Sequence, residues 1–221
     1  MQARIRNQNL KIAAVLGTAL ILTACNTTPV KKAPVAEPVQ TSAPARIEIQ
    51  EAIGFTIVED SNISVELRLD YDRAQDLLAQ GQHEEAIELL EMVAEAAPTL
   101  SAPRIDLGIA YHELGALEAA EAHLNTALAI NSSHPVALNE LGIIYRKTAR
   151  FAEARQSYQA ALDVYPGFHY ARRNLAVLCD LHLGDDDCAV ENYEAYMATV
   201  DSDDEAAAWL KNARFRSGQT E

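Results

Sequence analysis

Three cysteines, six histidines and two acidic clusters are the places where this chain could do chemistry. The histidines are His83, His112, His123, His134, His169 and His182. No two of them stand four apart around a glutamate, the spacing of a helical zinc protease. No glycine-rich phosphate loop and no nucleophile elbow occurs. Asp185-Asp186-Asp187 and the group Asp201, Asp203, Asp204 lack the alternating oxygen ligands of a calcium loop. Carboxylates bunched in this way suit the first turns of helices, where the dipole favours them. The chain is therefore expected not to be an enzyme and to hold no cofactor and no metal. What remains is sulfur chemistry. Cys25 stands alone near the N-terminus, and Cys179 and Cys188 lie either side of Gly184.

The company of Cys25 is informative. Arg4, Arg6 and Lys11 give a positive start, and residues 12–22 form an apolar run. A mature membrane span needs about 20 residues, so this run is too short and suits a secretory signal instead. It ends in Leu22-Thr23-Ala24-Cys25, which resembles the lipobox of bacterial lipoproteins. That resemblance implies cleavage before Cys25 and acylation of its sulfur and new amino terminus, with palmitate or a similar chain. An ordinary secretory peptide or a buried free cysteine are the alternatives. Asn26, rather than Asp, implies the outer membrane under the sorting rule of enterobacteria-like lipoproteins. Residues 1–24 are thus expected to be a signal peptide, and 25–46 a lipidated, Pro- and Ala-rich disordered tether. About twenty such residues at roughly 3.1 Å each reach on the order of 60 Å. Residues 47–66 form an extension of uncertain structure, in which Phe55-Thr56-Ile57-Val58 alternates weakly and could be extended.

The elements that position the rest recur every 34 residues. Leu107-Gly108 and Tyr111 return as Leu141-Gly142 and Tyr145; Ala120, Leu124 and Ala127 return as Ala154, Tyr158 and Ala161. Upstream, Ala74, Leu77, Gly81, Ala86, Leu90 and Pro98 keep the frame. Downstream, Leu175, Ala176 and Cys179 keep it until one inserted residue near Gly184 shifts it. The pattern resembles the tetratricopeptide repeat family over residues 67–200, a helix-turn-helix unit that stacks into a solenoid. The implied fold is all-α: about four repeats near 67–100, 101–134, 135–168 and 169–201, closed by a capping helix at 202–216. Ser202 and Glu205 stand in capping-box spacing for that helix, and Trp209 is expected to pack. Gly108 is expected against Ala120 and Gly142 against Ala154, where the two helices approach. Tyr111, Tyr145, Leu124 and Tyr158 are expected between units. In this frame Cys179 and Cys188 fall opposite each other across a turn, and an exported domain meets an oxidising compartment. A disulfide is the reading; two buried free thiols are the alternative.

A solenoid offers a surface rather than a reaction centre. In the family resembled, the concave face is lined by the second, fifth, ninth, twelfth and thirteenth positions of each unit. Here those include Ile105, Ile109, His112, Asn139, Ile143, Arg146, Tyr170, Arg173 and Val177. Apolar residues rimmed by polar ones suit a peptide groove, and packing against neighbouring helices is the alternative. Arg146 and Arg173 could receive a carboxylate. Asp72, Asp106 and Glu140 stand where the chaperone-binding subfamily carries Asn or Arg, so its terminal-carboxylate clamp is not expected. With 32 acidic and 18 basic residues the net charge is −14, and the signal removes three positive charges more. Nucleic acid is excluded as a partner, and any membrane attachment falls to the lipid. The expected protein is an outer-membrane lipoprotein on the periplasmic face, scaffolding protein or peptide partners. It is similar to small repeat lipoproteins of TonB-type systems, and more loosely to the pilotins that escort secretins. Regulation of a periplasmic cell-wall enzyme is a further alternative.

Overall fold

Short amphipathic helices, punctuated by left-handed turns, build the described part of the chain. The computed structural model describes residues 46–50, 54–59 and 63–219. The signal peptide, the tether and the lipidation expected at Cys25 lie outside the described residues.

Four helix pairs follow one another. The first is α1 (Val65–Ala79) with α2 (His83–Ala96), the second α3 (Ala102–Glu113) with α4 (Leu117–Ile130). The third is α5 (Pro135–Lys147) with α6 (Phe151–Val164), and the fourth α7 (His169–Leu178) with α8 (Asp186–Met197). A last helix, α9 (Asp204–Ser217), packs on α8. In the first two units the inner turn rests on Gly81 and Gly115, at φ 74° and 76°. Glycine takes that conformation without a Cβ penalty. The third unit puts Ala149 there, at φ 59°.

The inserted residue of the fourth unit has a visible home. Cys179–Leu183 forms a π-helical turn that prolongs α7, the usual way a helix absorbs one extra residue. Cys179 is bonded to Cys188 at the start of α8, with Cα atoms 5.9 Å apart. Closing so small a loop stabilises the fold by about 2–3 kcal/mol.

Packing within a unit keeps the expected approach of Gly108 to Ala120, whose carbonyl oxygen would lie 3.4 Å from an added Cβ, and sets a larger neighbour nearer still. A Cβ on Gly108 would lie 2.6 Å from Leu124 Cγ, and one on Gly142 would lie 2.5 Å from Tyr158 Cε1. The small residue of the first helix therefore receives the large one of its own second helix. Leu124 and Tyr158 fill the room left by the glycine of their own unit and also belong to the core clusters shared with the next unit. Tyr111 does reach across: its hydroxyl donates to Glu91 Oε1 of the preceding unit at 2.8 Å.

The core runs as three linked clusters: one between the first and second units, one between the second and third, and one holding the rest with α9. Across unit boundaries α1, α3, α5 and α7 approach one another more closely than the second helices do, so they line the inner side of the curve. The capping residue of α9 is Asp203 rather than Ser202. Its carboxylate accepts from Ala206 N at 2.9 Å, and it stands immediately before the first helical residue. Tyr193 and Arg173 flank Trp209, which packs on the last pair as a closing side chain.

Before the helices, β1 (Arg46–Gln50) and β2 (Gly54–Val58) pair antiparallel, with Ile47 opposite Ile57 and Ile49 opposite Phe55. A lone hairpin is marginal in water. Glu59, immediately after β2, clasps the start of α3: its carboxylate accepts from Ser101 N at 2.9 Å and from the Ser101 hydroxyl. The contact of this segment is thus with the second unit, where Ser101 is fully buried.

Candidate partner-binding face

The inner face is made by the first helices, and its geometry follows the repeat register. Position five of one unit meets position six of the next. Between the first and second units, Tyr71 Oη donates to Asp106 Oδ2 at 2.6 Å. Between the third and fourth, Asn174 Nδ2 donates to Asn139 Oδ1 at 2.9 Å. Between the second and third, the same positions hold Ile105 and Glu140, which cannot form such a bond. Glu140 instead accepts from Asn139 Nδ2 of its own helix at 3.1 Å.

The residues expected on this face separate into three groups. Ile105 is only 4% exposed and belongs to the core with Leu124, Leu141 and Ile144, and Asn139 is buried in the cross-unit bond. These two are structural, because the neighbouring first helix covers position five. Ile109, Ile143 and Val177 are half-buried, each with one side on the core. Tyr170 is 60% exposed. Arg173 does not stand beside Arg146 as a free cation. The start of α9 crosses it, with Nη2 3.1 Å from Glu205 Oε2, Nε 3.6 Å from Asp203 Oδ2, and the guanidinium 5.2 Å from the Trp209 ring centre.

His112 and Arg146 occupy position twelve of adjacent units, on α3 and α5. The His112 side chain is nine-tenths buried. Burial, and then the charge of Lys147, hold its pKa below the ordinary value; Glu113 opposes this and Arg146 adds to it. Beneath them, Tyr158 of α6 is fully buried, and burial pushes its hydroxyl up to about 12 against the pull of Arg146. Burial raises the Glu140 carboxyl to about 6, opposed by the Asn139 bond and helped by Glu113. His112 Nε2 and Arg146 Nε are buried and have no hydrogen-bond partner among the described residues, while Arg146 hydrogen-bonds the Tyr158 hydroxyl. Glu140, Lys147 and the Tyr158 hydroxyl were not among the residues singled out for the face. Their signal was the register itself, since positions six and thirteen of the third unit fall beside position twelve.

One group of described residues has metal-ligand spacing: Cys179, Asp185 and Cys188, with ligand atoms within 4.8 Å of one another. It does not fit a metal. Both sulfurs are spent in the disulfide, and a soft metal needs thiolate. Asp185 caps α8 through Cys188 N at 3.2 Å and pairs with Arg155 at 3.1 Å. Among the described residues no helix is long and apolar enough to cross a membrane.

Comparisons with known proteins agree with this geometry. Two family models described as tetratricopeptide repeat match residues 77–141 and 135–168. A solved structure of MamA from Desulfovibrio magneticus RS-1 superposes with a TM-score of 0.61 at 19% identity, covering 71% of this chain and 88% of that one. A structure of pilF from Pseudomonas aeruginosa gives 0.63 at 19% identity and covers 69% of each chain. At such identities the likeness is one of fold. The anaphase-promoting complex subunit CDC16 of Saccharomyces cerevisiae is 26% identical over 105 residues, 48% of this chain. The match spans only 12% of that protein's length. Helix pairs, register and family models together show that residues 77–168 are tetratricopeptide repeats within an all-α solenoid, a fold that typically serves protein–protein interaction.

Proposed function

We propose that this chain is a lipid-anchored scaffold of the bacterial outer membrane, on its periplasmic side, holding a protein partner on the inner face of its repeats. The observation that carries the binding half is the line of half-buried Ile109, Ile143 and Val177 on three consecutive first helices, flanked by Arg146 and exposed Tyr170. Apolar side chains that keep one edge in solvent beside fixed polar groups are what a peptide segment needs for anchoring. The anchoring half rests on the basic start, the apolar run and Leu22-Thr23-Ala24-Cys25. The Cys179–Cys188 bond suits an oxidising compartment. An envelope machine of the TonB type is the assembly this reading favours.

Metabolic labelling with a palmitate analogue, followed by membrane fractionation, tests the anchor. The wild-type chain is expected to carry label and to travel with the outer membrane. Cys25→Ala should accumulate as unlabelled precursor. Mature Cys25→Ala of normal size in the outer membrane would overturn the anchor.

A further inference from the structure

A solenoid stays monomeric when its terminal units turn a polar face outward. Both ends of this stack depart from that rule. Among the described residues the two most exposed large apolar side chains are Val65 of α1, at 75%, and Phe215 of α9, at 74%. Leu69, one turn after Val65, is 61% exposed. It holds position three of the first unit. In later units that position is Pro103, Ala137 and Ala171, and with the inserted residue counted it is Ala206 of α9; all are buried. The first helix thus leaves open a place that every later unit covers.

The other end lacks a helix. In register, α9 is the first helix of a fifth unit, and the described residues end before a second helix could pair with it. Position eight, the glycine that receives the second helix in the second and third units, is Lys211 in α9. Around it lies a cavity of about 550 Å³, lined by Met197, Ala207, Leu210, Lys211, Arg214 and Phe215. The register puts this groove on the side of α9 where a unit's own second helix packs.

The groove suits a helix with an apolar stripe and acidic neighbours. Residues 206–217 carry Lys211, Arg214 and Arg216 and no acid. Arg214 and Arg216 lie against Glu194 and Asp186, whereas Lys211 pairs with none of the described acidic groups. α1 has the complementary balance, with Glu66, Asp70, Asp72 and Asp76 against Arg68 and Arg73. Its 15 residues match the 14 of α9, as paired helices match within the second and third units. A reciprocal contact of two α9 helices would instead set Lys211 and Arg214 against their own copies, which like charge disfavours.

We propose that α1 of one copy of this chain docks in the α9 groove of another, in the place of the missing second helix. Val65 and Leu69 lie towards Leu210 and Phe215, and the acids of α1 reach Lys211. The contact is heterologous and leaves one unused surface at each end, so copies join head to tail beyond a pair.

Sedimentation velocity of the purified full-length chain over a range of concentrations tests this. The average mass should rise past that of two copies. Leu69→Asp and Phe215→Glu should each stay monomeric alone, because every contact in a uniform sample uses both surfaces. Mixed in equal amounts they should stop at two copies, since the first keeps its groove and the second its α1. Both side chains are exposed, where substitution leaves the fold nearly unaffected, and unchanged circular dichroism checks this. Val65→Asp takes the place of Leu69→Asp should that chain fail to fold. A wild type that is monomeric at every concentration overturns the proposal. Pairing by Leu69→Asp but not by Phe215→Glu also overturns it, and would mean that α9 meets α9. Association that survives in both variants, or a mixture that stays monomeric while the wild type associates, overturns it as well.

Discussion

The outer and middle junctions of the solenoid use the same register to opposite ends. Tyr71 with Asp106, and Asn174 with Asn139, tie first helices together through buried hydrogen bonds. At the middle junction those positions are Ile105 and Glu140. The isoleucine joins the core, and the carboxylate is left half-buried with a pKa raised to about 6. A fold that needed only rigidity could place a polar pair there too. The difference teaches that the ends of the stack tie their first helices together with polar pairs, while its centre joins them through an apolar contact and leaves a carboxyl strained by burial.

The predictions test that contrast, beginning with the largest effect. His134 caps α5, the helix at the centre, by accepting from Ala137 N through Nδ1 at 3.4 Å. Burial lowers its pKa from 6.5 to about 4. Its neutral form belongs to the fold, so its contribution is complete above pH 6.5 and is lost as pH falls towards 4. The loss is on the order of 3 kcal/mol at 1.36 kcal/mol per unit. Urea titrations at several pH values should show it, and His134→Asn, which keeps a cap acceptor, should flatten that limb.

Tyr71→Phe attacks an outer junction. It removes one of the two α1 donors to the Asp106 carboxylate, whose pKa burial already raises, and leaves only Gln75 across the junction. A cost of about 2 kcal/mol is expected in chemical denaturation, with no change in peptide binding at the centre. A large loss of binding would mean that the junctions do not divide their roles.

Glu140→Gln acts at the middle junction with the opposite sign. A carboxyl raised from 4.5 to about 6 destabilises the fold above pH 6, and that penalty fades as pH falls towards 4.5. Allowing for its partial exposure, the variant should gain on the order of 1 kcal/mol at pH 7.5 and nothing at pH 4. Denaturation midpoints at the two pH values check this.

How much of this was legible in the sequence depends on how local each feature is. The helix pairs, the turns at Gly81 and Gly115 and the extra residue near Gly184 all follow from a 34-residue period, because each unit folds on its neighbours in the chain. The face was legible only as register. Ile105 and Asn139 were expected on it, yet the adjoining unit covers them. Arg173 was expected free, yet α9, about thirty residues later, lays Asp203 and Glu205 across it. Leu124 and Tyr158 do join clusters shared with the next unit, but periodicity, which marks a position as buried without saying against what, did not show that each also fills its own unit's glycine gap. The Glu59–Ser101 clasp has no signal in the pattern, since it joins residues 42 apart through one carboxylate.

The central claim is that a protein partner sits on the inner face. Site-specific photocrosslinking in living cells tests it most directly, with a benzophenone amino acid placed in the full chain at Ile143 on α5 or at exposed Ala129 on α4. The account predicts a discrete protein adduct from position 143 and none from position 129. An adduct from position 129 with none from 143 would contradict it, and would put the partner on the second helices.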